Sequence, residues 1–210
     1  MARLNFLLID DHQLVREGLK QLLAKHFPLA TLAEASDAAS AMGRLAEGEY
    51  ALILLDIDLP DRGGLDLLGD IMAVSSESRV LVLSGHDEGQ FGVRALKAGA
   101  AGYISKSAGA EETLAAIRAV LAGRTFVSPD LAGTLVEEMR AGGGAPHESL
   151  SEREFEVLRL FGSGCNASAI AKRLGLSVKT VSTYRARILE KLRLRTTGEL
   201  VRYAVEHKLI

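Results

Sequence analysis

The chain contains a single cysteine among its 210 residues and no apolar run of membrane-spanning length. Cys165 has no partner within the chain, which excludes an internal disulfide framework and a multi-thiolate zinc site and fits a reducing compartment. The longest apolar runs, such as Leu52 to Leu55, fall far short of the roughly 18 residues a bilayer crossing requires, so no membrane span is expected. The opening string MARLNFLLIDDHQ turns acidic straight after its apolar stretch and shows no small-residue cleavage site. No secretory leader is expected, and the chain reads as cytoplasmic. With 48% hydrophobic and 25% charged residues, the composition excludes wholesale disorder, collagen-like repeats and coiled coil. The length admits one large domain or two small ones.

Net charge is also nearly absent, at −2, but the sum conceals a polarity. Residues 1–122 carry 11 basic against 17 acidic side chains, residues 123–149 carry 2 against 4, and residues 150–210 carry 12 against 6. An acidic half joined to a basic one suits a nucleic-acid-binding module attached to something else; on composition alone a merely solvated basic surface fits as well. Arg140 to Ser149 reads RAGGGAPHES, where three glycines and a proline disfavour regular structure. The boundary is expected there, giving domains at 1–122 and 149–210 with a linker over 123–148.

The first half alternates apolar runs with amphipathic stretches. Strands are expected over Leu4 to Asp10, Ala30 to Ala35, Ala51 to Leu55, Val80 to Leu83 and Gly102 to Ile104. Helices are expected over Gln13 to Phe27, Ala38 to Glu47, Leu65 to Val74, Gln90 to Ala98 and Ala110 to Ala122. This pattern predicts a parallel sheet covered on both faces, and such sheets bind ligands beyond the carboxyl ends of their strands. The polar residues at those ends are Asp10 and Asp11, Asp56, Ser84 and Lys106. Converging carboxylates repel one another, and a hard divalent cation with oxygen ligands relieves that repulsion, so magnesium is the natural occupant. Lys106 and Ser84 would add a cation and a hydroxyl suited to phosphoryl oxygens. Each residue also has a plainer reading: an aspartate ending a strand is commonly a cap or turn residue, and Ser84 can cap the next segment.

The strings LLIDDHQLVREGL, LLDIDLPDRGGLDLL, LSGHDE and ALKAGAAGYISK resemble those of bacterial two-component response regulators of the NarL/FixJ type. The resemblance implies a flavodoxin-like, doubly wound, five-stranded receiver domain. It makes Asp56 the phosphoacceptor, with Asp10, Asp11, Asp56 and the main-chain carbonyl of Asp58 holding Mg²⁺. Lys106 then contacts the phosphoryl group, Ser84 is the switch hydroxyl with Gly85 beside it, and Tyr103 is the switch aromatic, although a core or rim role suits that residue equally. Catalysis beyond phosphoryl acceptance and autodephosphorylation is not implied. Asp56-Ile57-Asp58 also matches an aspartate-nucleophile phosphatase pattern, but that pair belongs after the strand that opens the sheet, whereas here it follows the third. Gly85 and Ser107 stand where many receivers carry alanine and proline. A cis bond before Ser107 costs about 2 kcal/mol more than one before proline.

In the second half, Ser151 and Glu154 have capping-box spacing before Phe155, Leu158 and Phe161. Ala167 to Leu174, a glycine turn at Gly175, and Val178 to Leu192 capped by Ser177 make a helix-turn-helix. Val181, Tyr184, Ile188 and Leu192 form the expected buried stripe. Thr196 and Glu199 repeat the capping-box spacing before a last helix. The string LSEREFEVLRLFGSGCNASAIAKRLGLSVKTVSTYRARILEKL resembles LuxR-type output domains. The resemblance implies a small four-helix domain that reads promoter DNA as a homodimer. It assigns base contacts to Ser182, Thr183 and Ala186; Lys179, Arg185 and Arg187 are given mainly to the backbone, and Thr180 shares the exposed polar face. Together the halves imply a partner histidine kinase that phosphorylates Asp56 and thereby controls dimerisation and DNA binding.

Overall fold

Short apolar runs become strands because both faces of the sheet they form are covered. In the computed structural model, which describes residues 4–60, 62–85, 88–141, 146–207 and 209–210, contacts divide the chain into two units, Met1–Gly142 and Gly143–Ile210. In the first, β1 (Asn5–Ile9), β2 (Thr31–Ala35), β3 (Leu52–Asp56), β4 (Arg79–Ser84) and β5 (Gly102–Ser105) pair in parallel in the order β2-β1-β3-β4-β5. Helices α1 (Gln13–His26), α2 (Ala38–Glu47), α3 (Gly64–Val74), α4 (Glu88–Lys97) and α5 (Ala110–Leu121) alternate with them. This is the expected flavodoxin-like arrangement, with element ends displaced by a residue or two. Every residue of β3 is buried. Phe6, Leu8, Leu54, Leu81, Ile104 and Ile117 belong to one core cluster on the sheet.

Register decides what the strand ends share. Ile9 pairs with Leu55, Asp56 with Leu83, and Ser84 with Ser105, so β1, β3, β4 and β5 finish side by side. The residues that follow or end them therefore reach a common rim. Among the described residues every peptide bond is trans, that before Ser107 included.

The interval 123–148, expected to be linker throughout, carries regular structure as far as Ala141. Phe126 forms a parallel bridge with Gly102, donating its amide to Ala101 and accepting from Tyr103. A helix α6 (Pro129–Ala141) follows and packs on α4. Its start is written locally: Ser128 Oγ accepts the Leu131 amide at 3.1 Å, and Pro129 occupies the first helical position, where no amide is required. Leu131 is fully buried against Gly92, where a β-carbon would come within 2.6 Å of the leucine. The expected tether narrows to the glycine run, whose residues 142–145 lie outside the described residues.

The second unit is helical. A 3₁₀ turn (Pro146–Ser149) precedes α7 (Glu152–Gly162), α8 (Ala167–Leu174), α9 (Val178–Lys191) and α10 (Thr197–Glu206). Each helix opens on a side-chain cap: Ser151 to Glu154, Asn166 to Ala169, Ser177 to Thr180 and Thr196 to Glu199. The first capping box is complete, since Glu154 also accepts the Ser151 amide. The last is modified: Glu199 reaches back one residue further, to the Arg195 amide at 2.7 Å. Gly175 takes a left-handed φ of 65°, which ends α8 and turns the chain into α9. Val181, Ile188 and Leu192 are buried as expected, whereas Tyr184 is only half-buried. In α10, Leu200 and Ala204 face inward and Val205 is 56% exposed.

Glu154 ties this unit together. Its carboxylate is 2% exposed and accepts from Lys191 Nζ at 2.6 Å. Burial opposes the charge, but the bonds from Lys191 and from the Ser151 amide outweigh it and hold the carboxyl below its ordinary value of 4.5. A depressed folded value contributes stability above the unfolded value that is lost as pH falls through the folded one. Glu154→Gln is expected to cost about 1–3 kcal/mol at neutral pH and to flatten the loss on acidification, read from hydrogen-exchange protection of α7 amides between pH 6 and 3.

Candidate functional site

The acidic rim is organised around a lysine. Asp56, the last residue of β3, is fully buried, and Asp10, just after β1, is 2% exposed. Lys106, one residue past β5, places Nζ 2.6 Å from Asp56 Oδ2 and 2.9 Å from Asp10 Oδ2. Its amide donates to the Ser84 carbonyl, so the β4–β5 pairing runs up to the base of the side chain. Burial pushes the Asp56 carboxyl above its ordinary value of 3.8; the bonds from Lys106 and the Asp58 amide counter this, and Asp10 adds repulsion. For Lys106, burial opposes the charge, yet bonds to Asp56 and Asp10 outweigh it and raise its value. One cation thus faces two buried carboxylates, with Asp11, a third exposed, alongside. The pocket has an uncompensated acidic donor set of the kind a divalent cation completes. Asp10, Asp11, His12 and Asp56 each offer a ligand atom within 4.8 Å of the others.

The remaining expected residues fall around this pocket. Asp58 is half-buried, and its amide donates to Asp56 Oδ1 at 3.0 Å. Ser84 is fully buried at the end of β4, and Gly85 beside it is exposed, with nothing within 4 Å of a β-carbon position. Tyr103 is fully buried, the core position that the sequence left open beside the switch role, on the strand whose edge Phe126 covers.

On the second unit, α9 presents Lys179, Ser182, Thr183, Ala186 and Arg187 to solvent, with Thr180 half-buried at its first turn. Ser182 donates to the Val178 carbonyl and Thr183 to that of Lys179, so both hydroxyls spend their proton on their own helix and keep lone pairs outward. Arg185 differs from Arg187. It is half-buried, and Nη1 donates to Thr197 Oγ1 at 2.8 Å, which ties α9 to the start of α10.

Comparison with known proteins finds a family match for each unit. The response regulator receiver domain family matches residues 6–118, and the luxR family of bacterial regulatory proteins matches residues 148–204. The chain is a response regulator of the NarL/FixJ family. It is 35% identical over 205 residues to response regulator GacA of Pseudomonas protegens, covering 97% of this chain and 96% of that one. It is 32% identical to response regulator UvrY of Escherichia coli over 98% and 95% of the two chains. Among solved structures, RcsB of Salmonella enterica serovar Typhimurium, bound to promoter P1flhDC in the presence of the phosphomimetic BeF₃⁻, aligns with a TM-score of 0.60. Its identity is 25%, over 96% of this chain and 98% of that one. A response regulator is a switch rather than an enzyme of the ordinary kind. Its receiver implies a kinase as partner, and its output domain implies DNA and transcription regulation.

Two residues of this response regulator escaped the sequence reading. His12 lies against the acidic cluster, and its one signal was adjacency to Asp11 at a helix start. Gly64 carried no signal, because its role depends on what lies across the loop. A β-carbon there would sit 2.3 Å from Ile57 Cα and 2.6 Å from the Asp56 carbonyl oxygen. Only glycine lets α3 begin so close over the end of β3. Gly64→Ala is expected to cost about 1–3 kcal/mol in thermal unfolding and to shift the Asp58 amide resonance, as the hydrogen bond to Asp56 is displaced.

Proposed function

We propose that Asp56 is the phosphoacceptor of this response regulator and that its phosphorylation by a histidine kinase governs DNA binding by α9. The observation that carries this reading is the bridge of Lys106 between Asp56 and Asp10. It sets one buried carboxylate beside a cation that is within reach of the oxygens a phosphoryl group would bring. Transfer breaks the P–N bond of the donor phosphohistidine and forms an O–P bond to Asp56, and the departing imidazole takes up a proton. Asp10, Asp11, Asp56 and the Asp58 carbonyl are the groups to hold Mg²⁺, which supplies charge neutralisation for the transferring oxygens. The same pocket returns the phosphate to water by autodephosphorylation.

The gain of roughly two negative charges at Asp56 is the input. Ser84, buried at the adjacent strand end, donates its hydroxyl to the new oxygens. Tyr103 responds by repacking within the core, because its ring starts buried. Gly85 leaves the rim beside Ser84 open. The domains comprise residues 1–122, extended by the segment through α6, and 149–210, joined by the glycine run. The output is a homodimer on promoter DNA in the cytoplasm. RcsB bound to a promoter with a phosphomimetic supports this coupling by analogy.

For DNA, Lys179 and Arg187 neutralise phosphates, while the outward lone pairs of Ser182 and Thr183, with the methyl of Ala186, face base edges. Thr180 and Arg185 sit at the margins of that face. Incubation with a small phosphodonor and Mg²⁺ is expected to label the wild type once and Asp56→Ala not at all. Labelling that persists in the variant would remove the assigned acceptor. Arg187→Ala is expected to weaken promoter binding and to reduce the slope of log affinity against log salt by about one, measured by fluorescence anisotropy. An unchanged slope would take Arg187 off the phosphate backbone.

A further inference from the structure

The two helices of the helix-turn-helix differ from their neighbours in their first turns. Glu152 and Glu154 open α7 and Glu199 opens α10, as the positive end of a helix favours, but the first turns of α8 and α9 carry no acidic residue. The positive end of α9 is therefore left uncompensated, which suits a helix that approaches DNA. The polar groups of its cap are already engaged. Ser177 Oγ accepts the Thr180 amide at 3.0 Å and lies 2.7 Å from Thr180 Oγ1, so the two hydroxyls bond to each other. What the turn offers outward is Lys179 and Val178.

Val178 is 48% exposed and is the one large hydrophobic residue of α9 so placed; Val181 and Ile188 are fully buried. Helix propensity does not account for it, since β-branched side chains are mediocre helix formers, and packing engages only part of it. One turn on, Ser182 Oγ donates to the Val178 carbonyl at 2.9 Å. An apolar branched group and a hydroxyl acceptor thus lie one turn apart at the end of the helix whose residues meet base edges in this motif. Among the groups that base pairs show in the major groove, the apolar one is the C5 methyl of thymine. We propose that Val178 is a specificity-determining residue: its isopropyl group packs on a thymine methyl and fixes that base at one position of each half-site. The proposal rests on the reading of α9 as the helix that binds DNA, and it gives that helix an apolar contact beyond the ones assigned to Ser182, Thr183 and Ala186.

The test begins with duplexes selected from a random pool by the full-length wild type in the presence of a small phosphodonor and Mg²⁺. Each thymine of the selected site is then replaced, in both half-sites at once, by deoxyuridine, which lacks the methyl, and affinity is read by fluorescence anisotropy. At one thymine position the wild type is expected to lose about tenfold, the worth of one buried methyl per half-site. Val178→Ala is expected to bind the thymine duplex about tenfold more weakly and to lose less than about twofold further on the same replacement, as two changes to one contact do. Val178→Ile is expected to keep the wild-type discrimination, and in both variants the slope of log affinity against log salt stays that of the wild type, because no phosphate contact is removed. Equal losses on methyl removal in the wild type and Val178→Ala, or no thymine whose methyl matters, would overturn the role of Val178. A wild type that selects no sequence from the pool would overturn the reading of α9 itself, and that outcome is seen before any variant is made.

Discussion

The receiver unit depends on one buried lysine held between two buried carboxylates. Lys106 comes from the end of β5, Asp56 from β3 and Asp10 from the turn after β1, so their meeting is possible only if these strands stop level. The contact is also electrostatically incomplete, because one cation cannot neutralise Asp10, Asp11 and Asp56 together. That imbalance gives the pocket its capacity for a metal ion. A fully compensated pocket would be a structural ion pair and little more.

The rest of the unit holds that rim in place from outside. Gly64 allows α3 to start directly over the Asp56–Ile57 peptide, and the Asp58 amide then fixes one oxygen of Asp56 while Lys106 fixes the other. On the opposite side of β4, the segment after α5 closes over β5 through Phe126 and over α4 through Leu131. Tyr103 lies inside this enclosure. Rearrangement at the rim therefore meets packed side chains rather than solvent, and packed side chains exchange between discrete arrangements instead of deforming gradually.

The output unit follows a different economy. Its helices are short, and each begins on a side-chain cap, with the buried Glu154–Lys191 pair joining α7 to α9. A small core of Phe155, Leu158, Val181, Ile188 and Leu200 leaves one face of α9 exposed and basic. Arg185 belongs partly to the scaffold, through Thr197, whereas Arg187 belongs to the surface. Two arginines two positions apart on one helix thus have different chemical environments, since that spacing turns them to different faces.

Periodicity, caps and strand-end aspartates were legible in the sequence, because each is a local property. Alternating apolar runs gave the sheet and its covering helices, capping spacings marked α7 and α10, and the acidic-to-basic polarity separated two kinds of domain. Helix α6 has a local start signal in Ser128-Pro129, but the glycine run a few residues on is the stronger sequence signal of that interval and points to a tether. What tertiary structure alone decided involves partners distant in sequence. The enclosure of Tyr103, the fit of Gly64 and Gly92, the diversion of Arg185 to Thr197 and the turning of His12 toward three carboxylates all depend on which atoms lie across a gap. A one-dimensional pattern records which face a residue occupies, but the distance to what faces it is set by strand register and helix packing.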